Sequence, residues 1–267
     1  MRRLIRRFQS TALSLLLSVF FLLAASAGTH AQQRGILTPL ASPKPQINGP
    51  SIYGVHPGHP LLYRIPASGD RPISFSAKGL PADLQLDAAT GILRGVLPHA
   101  GNYDVTLEAR NALGATKRHF RIVAGDKIAL TPPMGWSTWY MVHLDISDAL
   151  VRKQTDAMIS SGLVNYGYSF IDIDDGWNIK PSSTDPMIGG APRDVEGNLR
   201  SNFNFPDMEA LADYVHSQGL KIGIYISPGP LTCGGFEGSY QHEAQDARLF
   251  AKWGYDLLKY DLCSYQN

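Results

Sequence analysis

Residues 207–226, DMEALADYVHSQGLKIGIYI, decide the fold. A helix runs to a stop at Gly219 and hands over at once to the short apolar strand LKIGIYI, residues 220–226. The same unit recurs on either side. Residues 146–162 carry apolar positions at helical spacing between an N-capping Ser147 and a terminating Gly162, and they precede the strand YSFIDID, 168–174. HEAQDARLFAKWG, 242–254, is the next helix and YDLLKYD, 255–261, the next strand. With MGWST, 134–138, as the first strand, strands alternate with helices of about 10–15 residues, which implies βαβ units and a parallel sheet covered by helices.

Upstream the period changes. Residues 51–126 hold short alternating runs between turn signals, among them PLLYRIPA, ISFSAKG, GILRGVL, YDVTLEARN and KRHFRIVA. Tyr103, Val105 and Leu107 fall on one face and Asp104, Thr106 and Glu108 on the other, as a half-buried antiparallel strand requires. Several such strands in so short a stretch predict a small β-sandwich. Residues 32–50, rich in Pro, Gln and Ser with no apolar period, read as a flexible linker. At the start, Arg2, Arg3, Arg6 and Arg7 precede the apolar run TALSLLLSVFFLLAASA, with cleavage signals ending at Ala27 and Ala31. That is the layout of a secretory signal peptide over residues 1–31.

The leader also explains the charge. The 267 residues hold Lys+Arg 24 against Asp+Glu 23, a formal +1; removing the four leader arginines leaves 20 against 23, a net of −3. Charged residues are 18% and hydrophobic residues 44%, which excludes a disordered polyelectrolyte, a coiled coil and a protein that binds nucleic acid by bulk charge. The expected location is secreted or periplasmic, with no stable membrane anchor once the leader is cleaved, and there the two cysteines, Cys233 and Cys263, can be oxidised.

Three strands end in residues that carry chemistry. One ends in Asp174-Asp175-Gly176-Trp177, one carries Tyr225, and the last carries Lys259 and ends in Asp261. Lys259 and Asp261 are two apart and share a face, while Leu258 and Tyr260 point the other way, toward the helices. A lysine beside a carboxylate favours its ionised form. Charged groups at the carboxyl ends of parallel strands are where α/β folds place active sites. Trp136, Trp139 and Trp177 lie among them in sequence; carboxylates fork onto sugar hydroxyls and indole faces stack on sugar C–H surfaces. Asp172 shares a face with Asp174 and is either a barrel-lining or a satisfied core acid. Three acids at 172, 174 and 175 raise the question of a hard cation, but no histidine accompanies them; neither metal nor other cofactor is expected.

Two resemblances extend this reading. GLPADLQLDAATGILRGVLPHAGNYDVTLEARN, 79–111, is similar to the immunoglobulin-like modules of secreted bacterial proteins, which implies a sandwich acting as a spacer in preference to a carbohydrate-binding module. LTPPMGWSTWY, GYSFIDIDDGW, FPDMEALADYVHSQGLKIGIYISPGPLTCGG, GSYQHEAQDARLFAKWG and YDLLKYDLC together resemble glycoside hydrolase family 27, the retaining α-galactosidases. The resemblance implies a nucleophile at Asp261, sugar-hydroxyl contacts from Asp174 and Asp175, a pocket wall at Trp139, and Tyr225 and Lys259 beside the nucleophile. It also implies a Cys233–Cys263 disulfide, which suits two loops at one mouth of the sheet. Gly176 departs from the family, many of whose members carry a further cysteine there.

The expected architecture is multidomain: leader 1–31, linker 32–50, all-β immunoglobulin-like sandwich 51–126, and at 127–267 an α/β unit forming the first four strands of a (β/α)8 TIM barrel. A whole barrel needs about 250 residues. The resemblance implies that the acid/base carboxyl lies beyond Asn267, and this polypeptide alone is expected to be an inactive, truncated enzyme. The expected partner is a terminal α-galactoside. Within the family the alternatives are α-N-acetylgalactosaminidase and β-L-arabinopyranosidase, and outside it a non-catalytic carbohydrate-binding protein.

Overall fold

The computed structural model describes residues 41–264, so the leader read at 1–31 lies outside the described residues. Among the described residues no helix is long and apolar enough to cross a membrane.

The first part is all β. Strands β2 (Ile52–Val55), β9 (Gly114–Ala124), β8 (Gly101–Asn111) and β5 (Ser74–Lys78) form one sheet in that order. Strands β3 (Pro60–Arg64), β7 (Ile92–Val96) and β6 (Leu84–Leu86) form a second. Along β8 the side chains of Val105, Leu107 and Ala109 are buried and alternate with more exposed neighbours. Phe75, Leu93, Phe120 and Ile122 join them between the sheets, and Tyr63 stacks on Phe120 with ring centres 4.6 Å apart. Burying each such side chain is worth about 1.5–3 kcal/mol, enough to hold two small sheets face to face.

The structure corrects the linker boundary. Strand β1 (Gln46–Ile47) pairs antiparallel with β4 (Ala67–Ser68), inside the stretch read as flexible. Ile47 is buried and its carbonyl accepts from Arg118 Nη1 at 3.0 Å. A two-residue strand flanked by prolines has no period to read, and only its partners reveal it.

The second part is a four-stranded parallel sheet, ordered β10 (Gly135–Ser137), β11 (Phe170–Ile173), β12 (Lys221–Ile226) and β13 (Leu257–Tyr260). The short helix α1 (Trp139–Val142) follows β10. Helices α2 (Asp148–Ser160), α3 (Met208–Ser217) and α4 (Glu243–Lys252) each precede a strand. Ser147 caps α2 by accepting from Leu150 N at 3.3 Å, and Asp207 caps α3 by accepting from Ala210 N at 2.9 Å. Ile171, Ile173, Ile222, Ile224 and Ile226 are fully buried against Val151, Met158, Leu211 and Val215. The opposite row of the same strands carries Asp172, Tyr225 and Lys259. Leu258 and Tyr260, expected to be covered by helices, are 41% and 45% exposed: among the described residues β13 is an edge strand.

The long segment after β11 is pinned by charge. The guanidinium of Arg193 grips both oxygens of Asp246 on α4, at 2.7 and 3.0 Å, and also donates to the carbonyls of Gly197 and Gly238. Asp246 is buried and Arg193 nearly so. Glu237 Oε1 accepts only a longer bond from Arg193 Nε, at 3.2 Å, so removing Asp246 leaves a nearly buried guanidinium incompletely paired. Asp246→Ala should lower unfolding stability by about 3–5 kcal/mol in urea titration; a loss below about 1 kcal/mol, as for a surface pair, would show that the bridge does not hold the segment.

Candidate active site

The parallel sheet delivers its polar residues to one end, beyond the carboxyl ends of its strands. Thr138, just past β10, is buried; its Oγ1 accepts from Asp174 N at 2.9 Å and its own amide donates to Asp172 O at 3.1 Å. This brings Asp174 out of β11 into a fixed orientation. Asp174 is 2% exposed. Its Oδ2 accepts from Lys259 Nζ at 2.5 Å and from Ser137 Oγ at 3.4 Å, and its Oδ1 from Asp175 N at 2.9 Å.

Asp175 turns the other way. Its two oxygens accept from Thr232 Oγ1 at 2.8 Å and Gly234 N at 2.6 Å, both in the loop after β12. Burial is the largest influence on its carboxyl and pushes its pKa up, with the Gly234 and Thr232 hydrogen bonds pulling against it. Each oxygen keeps a lone pair free for a further donor.

Lys259 crosses from β13 to Asp174 with its ammonium 5.3 Å above the ring of Tyr225 on the intervening strand. Desolvation pulls its pKa down, but the hydrogen bond and charge of Asp174 outweigh it and the net shift is upward; Asp172 and Asp261 add to that. Tyr225 is buried, its hydroxyl 3.5 Å from Cys263 Sγ, and burial first, then the neighbouring acids, hold the phenol protonated. Asp261 extends the β13 ladder by one bond, donating its amide to Ile226 O at 3.1 Å, and its side chain is exposed. Cys233 and Cys263 are joined in a disulfide with Cα atoms 5.1 Å apart. The carboxyl of Asp261 lies within 4.8 Å of both sulfurs. Ser227 Oγ donates to Cys263 O at 2.9 Å, so the loops after β12 and β13 are tied by hydrogen bonds as well as by the disulfide.

Of the residues named from sequence, Asp174, Asp175, Tyr225, Lys259, Asp261 and the cysteine pair thus converge. Trp139 lies in α1 at the same end, partly exposed, with its indole edge-on to His143 at 5.0 Å. Trp177 does not line the site. It is 1% exposed, packs edge-on against Phe250 and Trp253, and donates Nε1 to Tyr225 O at 2.7 Å. Trp136 likewise packs against the core. Thr138, Thr232 and Gly234, which orient the two acids, carried no signal in sequence. Asp172 lies on the interior row opposite Gly223, where a Cβ would come within 2.4 Å of Asp172 Oδ1; the glycine makes room for the carboxyl. That oxygen is buried without a partner. Burial first, and then the charge of Asp174, push its pKa up to about 6 against weaker opposition from Ser137 and Lys259. A chelating cluster among the described residues, Cys233, Asp261 and Cys263, has both its sulfurs committed to the disulfide.

Comparison with known proteins gives this arrangement a context. Residues 131–267 match the family described as "Alpha galactosidase A", and residues 44–124 the one described as "Putative Ig domain". An alpha-galactosidase of Cyamopsis tetragonoloba is 44% identical over 163 residues, covering 59% of this chain and 37% of that protein. Alpha-galactosidase A of Cellvibrio japonicus is 41% identical over 144 residues, covering 53% and 33%. This chain therefore spans about a third of the length of those relatives. A Bacteroides fragilis crystal structure described as a "putative alpha-galactosidase" superposes with a TM-score of 0.79 at 42% identity, covering 86% of this chain and 47% of that one. A second from the same organism gives 0.77 at 40% identity, covering 84% and 46%.

Two outcomes follow from the geometry. Thiol titration of the unfolded, unreduced protein should find no free thiol, and reduction should cost about 3–4 kcal/mol of stability for a loop of this size; two titratable thiols would remove the bridge. The native Asp172 carboxyl keeps its proton up to about pH 6, whereas the unfolded chain releases it near 3.8. The native state binds more protons in that window, so stability falls as the pH rises through it. Asp172→Asn should flatten that decline and add about 1–3 kcal/mol above pH 6. Parallel stability profiles for variant and wild type from pH 4 to 7 would refute the assignment.

Proposed function

The chain belongs to the Alpha galactosidase A family through residues 131–267, and from that footing we propose that the whole protein is a retaining glycoside hydrolase that releases terminal α-D-galactosyl residues. The observation that carries the reading is the bridge between Lys259 and Asp174 at 2.5 Å, with Asp261 two residues beyond the lysine on the same strand end. A binding protein has no need of a lysine bridged to a buried acid and set two residues before another acid at the mouth of a sheet; a nucleophile beside a fixed cation does.

In this reading Asp261 attacks the anomeric carbon, the glycosidic C–O bond breaks, and the leaving oxygen takes a proton from a second carboxylic acid. The covalent galactosyl-enzyme is then hydrolysed by water, which gives its proton to that same carboxyl, and the anomeric configuration is restored. No described residue is assigned the second role. Asp174 and Asp175 accept hydroxyl hydrogens of the sugar through their remaining lone pairs, already oriented by Thr138, Thr232 and Gly234. Lys259 places a positive charge against Asp174 and near Asp261, and the two acids in turn raise the lysine's pKa. Trp139 supplies an apolar wall for the sugar's C–H face. The Cys233–Cys263 bridge holds the segment that carries Asp261 against the loop that carries Thr232.

The four parallel strands are read as the first half of a (β/α)8 barrel, because their order in the sheet is their order in the chain and each is joined to the next through a helical connection. Residues 1–31 are read as an export leader, which places the protein outside the cytoplasm and suits the disulfide.

Asp261→Asn in the whole protein should reduce turnover of an aryl α-galactoside by at least about 10³-fold while leaving galactose binding within about threefold, since the side chain is exposed and the amide keeps its shape. Undiminished turnover would sink the nucleophile assignment.

A further inference from the structure

The opposite end of the parallel sheet, where its strands begin, is in contact with the sandwich. Arg64 Nη1 on β3 donates to Gln218 O at 2.8 Å. Arg94 Nη2 on β7 donates to His216 O at 2.8 Å and Ser217 O at 3.2 Å. These carbonyls end helix α3, where intrahelical donors run out and the helix dipole is negative, so two guanidinium groups suit the position in geometry and in sign.

A second contact lies at the first residue of β12. Lys221 Nζ stands 5.3 Å above the ring of Tyr53 on β2 and 6.0 Å above that of Phe170, and 3.4 Å from Asp256 Oδ1. The other oxygen of Asp256 meets His216 Nε2 at 2.8 Å and accepts from Ile222 N at 3.0 Å. A third lies at the turn before β11, where Asn48 Nδ2 donates to Asn165 O at 2.8 Å and Arg71 Nη2 to Asn165 Oδ1 at 2.5 Å. Shape matches as well. Gly219, at φ +75°, is where the chain leaves α3, and a Cβ there would come within 2.8 Å of Ile92 on β7. The junction also holds a cavity of about 430 Å³ bordered by Tyr53, Arg64, Phe170 and Lys221. The placed polar contacts thus surround a gap in the packing.

We propose that the sandwich is an integral brace of the catalytic unit. Its partner is the intramolecular surface formed by the end of α3, the start of β12 and the turn at 163–167, in place of the spacer that the resemblance to immunoglobulin-like modules implies. The docked face reads backbone carbonyls, the side-chain oxygen of Asn165 and one lysine.

A protease recognition sequence inserted between Gly125 and Lys127, in the connection between the two parts, tests this directly. The disulfide lies within the sheet unit, so no covalent bond would join the cut pieces. After cleavage the two fragments should co-elute on size exclusion at about 1 μM; separate elution would overturn the proposal. Arg64→Glu with Arg94→Glu should weaken their association at least about tenfold, while Arg110→Ala, whose exposed guanidinium pairs with Glu108 on its own strand, should leave it unchanged. If the insertion prevents folding, hydrogen exchange on the uncut chain decides. Arg64→Ala with Arg94→Ala should speed amide exchange at 218–222 by at least about tenfold, and unchanged rates would overturn the proposal equally.

Discussion

Asp174 sits almost out of water, and Lys259 is what lets it stay there. A carboxylate moved into the protein interior loses several kcal/mol of hydration unless a counter-charge and hydrogen bonds replace the water. Here the counter-charge arrives from 85 residues away, across a whole strand. To reach Asp174, the lysine stem must pass over the ring of Tyr225, so the bridge can form only if β11, β12 and β13 lie side by side in their observed register. The pair thus reports the sheet order and orients the acid cluster with one interaction. Asp261 gains from both, because the same strand that supplies the lysine ends in it.

The two ends of the sheet are held by different physics. At the carboxyl ends, loops are long, and they are ordered by charge, by hydrogen bonds to buried acids and by the disulfide. Where the strands begin, loops are short, and the sandwich meets them through arginines on helix carbonyls and through Lys221 between two aromatic faces. A site that must position carboxylates closely gains from a rigid support behind it. The apolar layer between these ends, isoleucines against helix faces, fixes spacing but carries no chemistry of its own.

Much of this was legible in the chain. The alternation of helix stops with apolar strands, Gly219 before LKIGIYI above all, specifies a parallel sheet, because only an element buried on both faces reads as a continuous apolar run. Period two in YDVTLEARN specifies a half-buried strand. The acids, Tyr225, Lys259 and Asp261 announce themselves by standing at strand ends where apolar residues would otherwise continue. These are local properties, set by bond geometry and by water, and a sequence displays them directly.

What only the tertiary structure decided is who meets whom. Trp177 has the residue type of a sugar platform and sits next to Asp175, yet its ring turns into the core, because Phe250 and Trp253 are there to receive it. Gln46–Ile47 becomes a strand only through Ala67–Ser68. Leu258 and Tyr260 alternate as helix-facing residues should, but both stay exposed on the strand that ends the sheet among the described residues. Thr232 and Gly234 orient Asp175 from 57 and 59 residues away, and the sandwich arginines find carbonyls more than 120 residues downstream. Periodicity encodes which face of an element avoids water. It does not encode the register, loop path and docking that choose a partner for each polar group, and those are settled only when the whole chain closes around them.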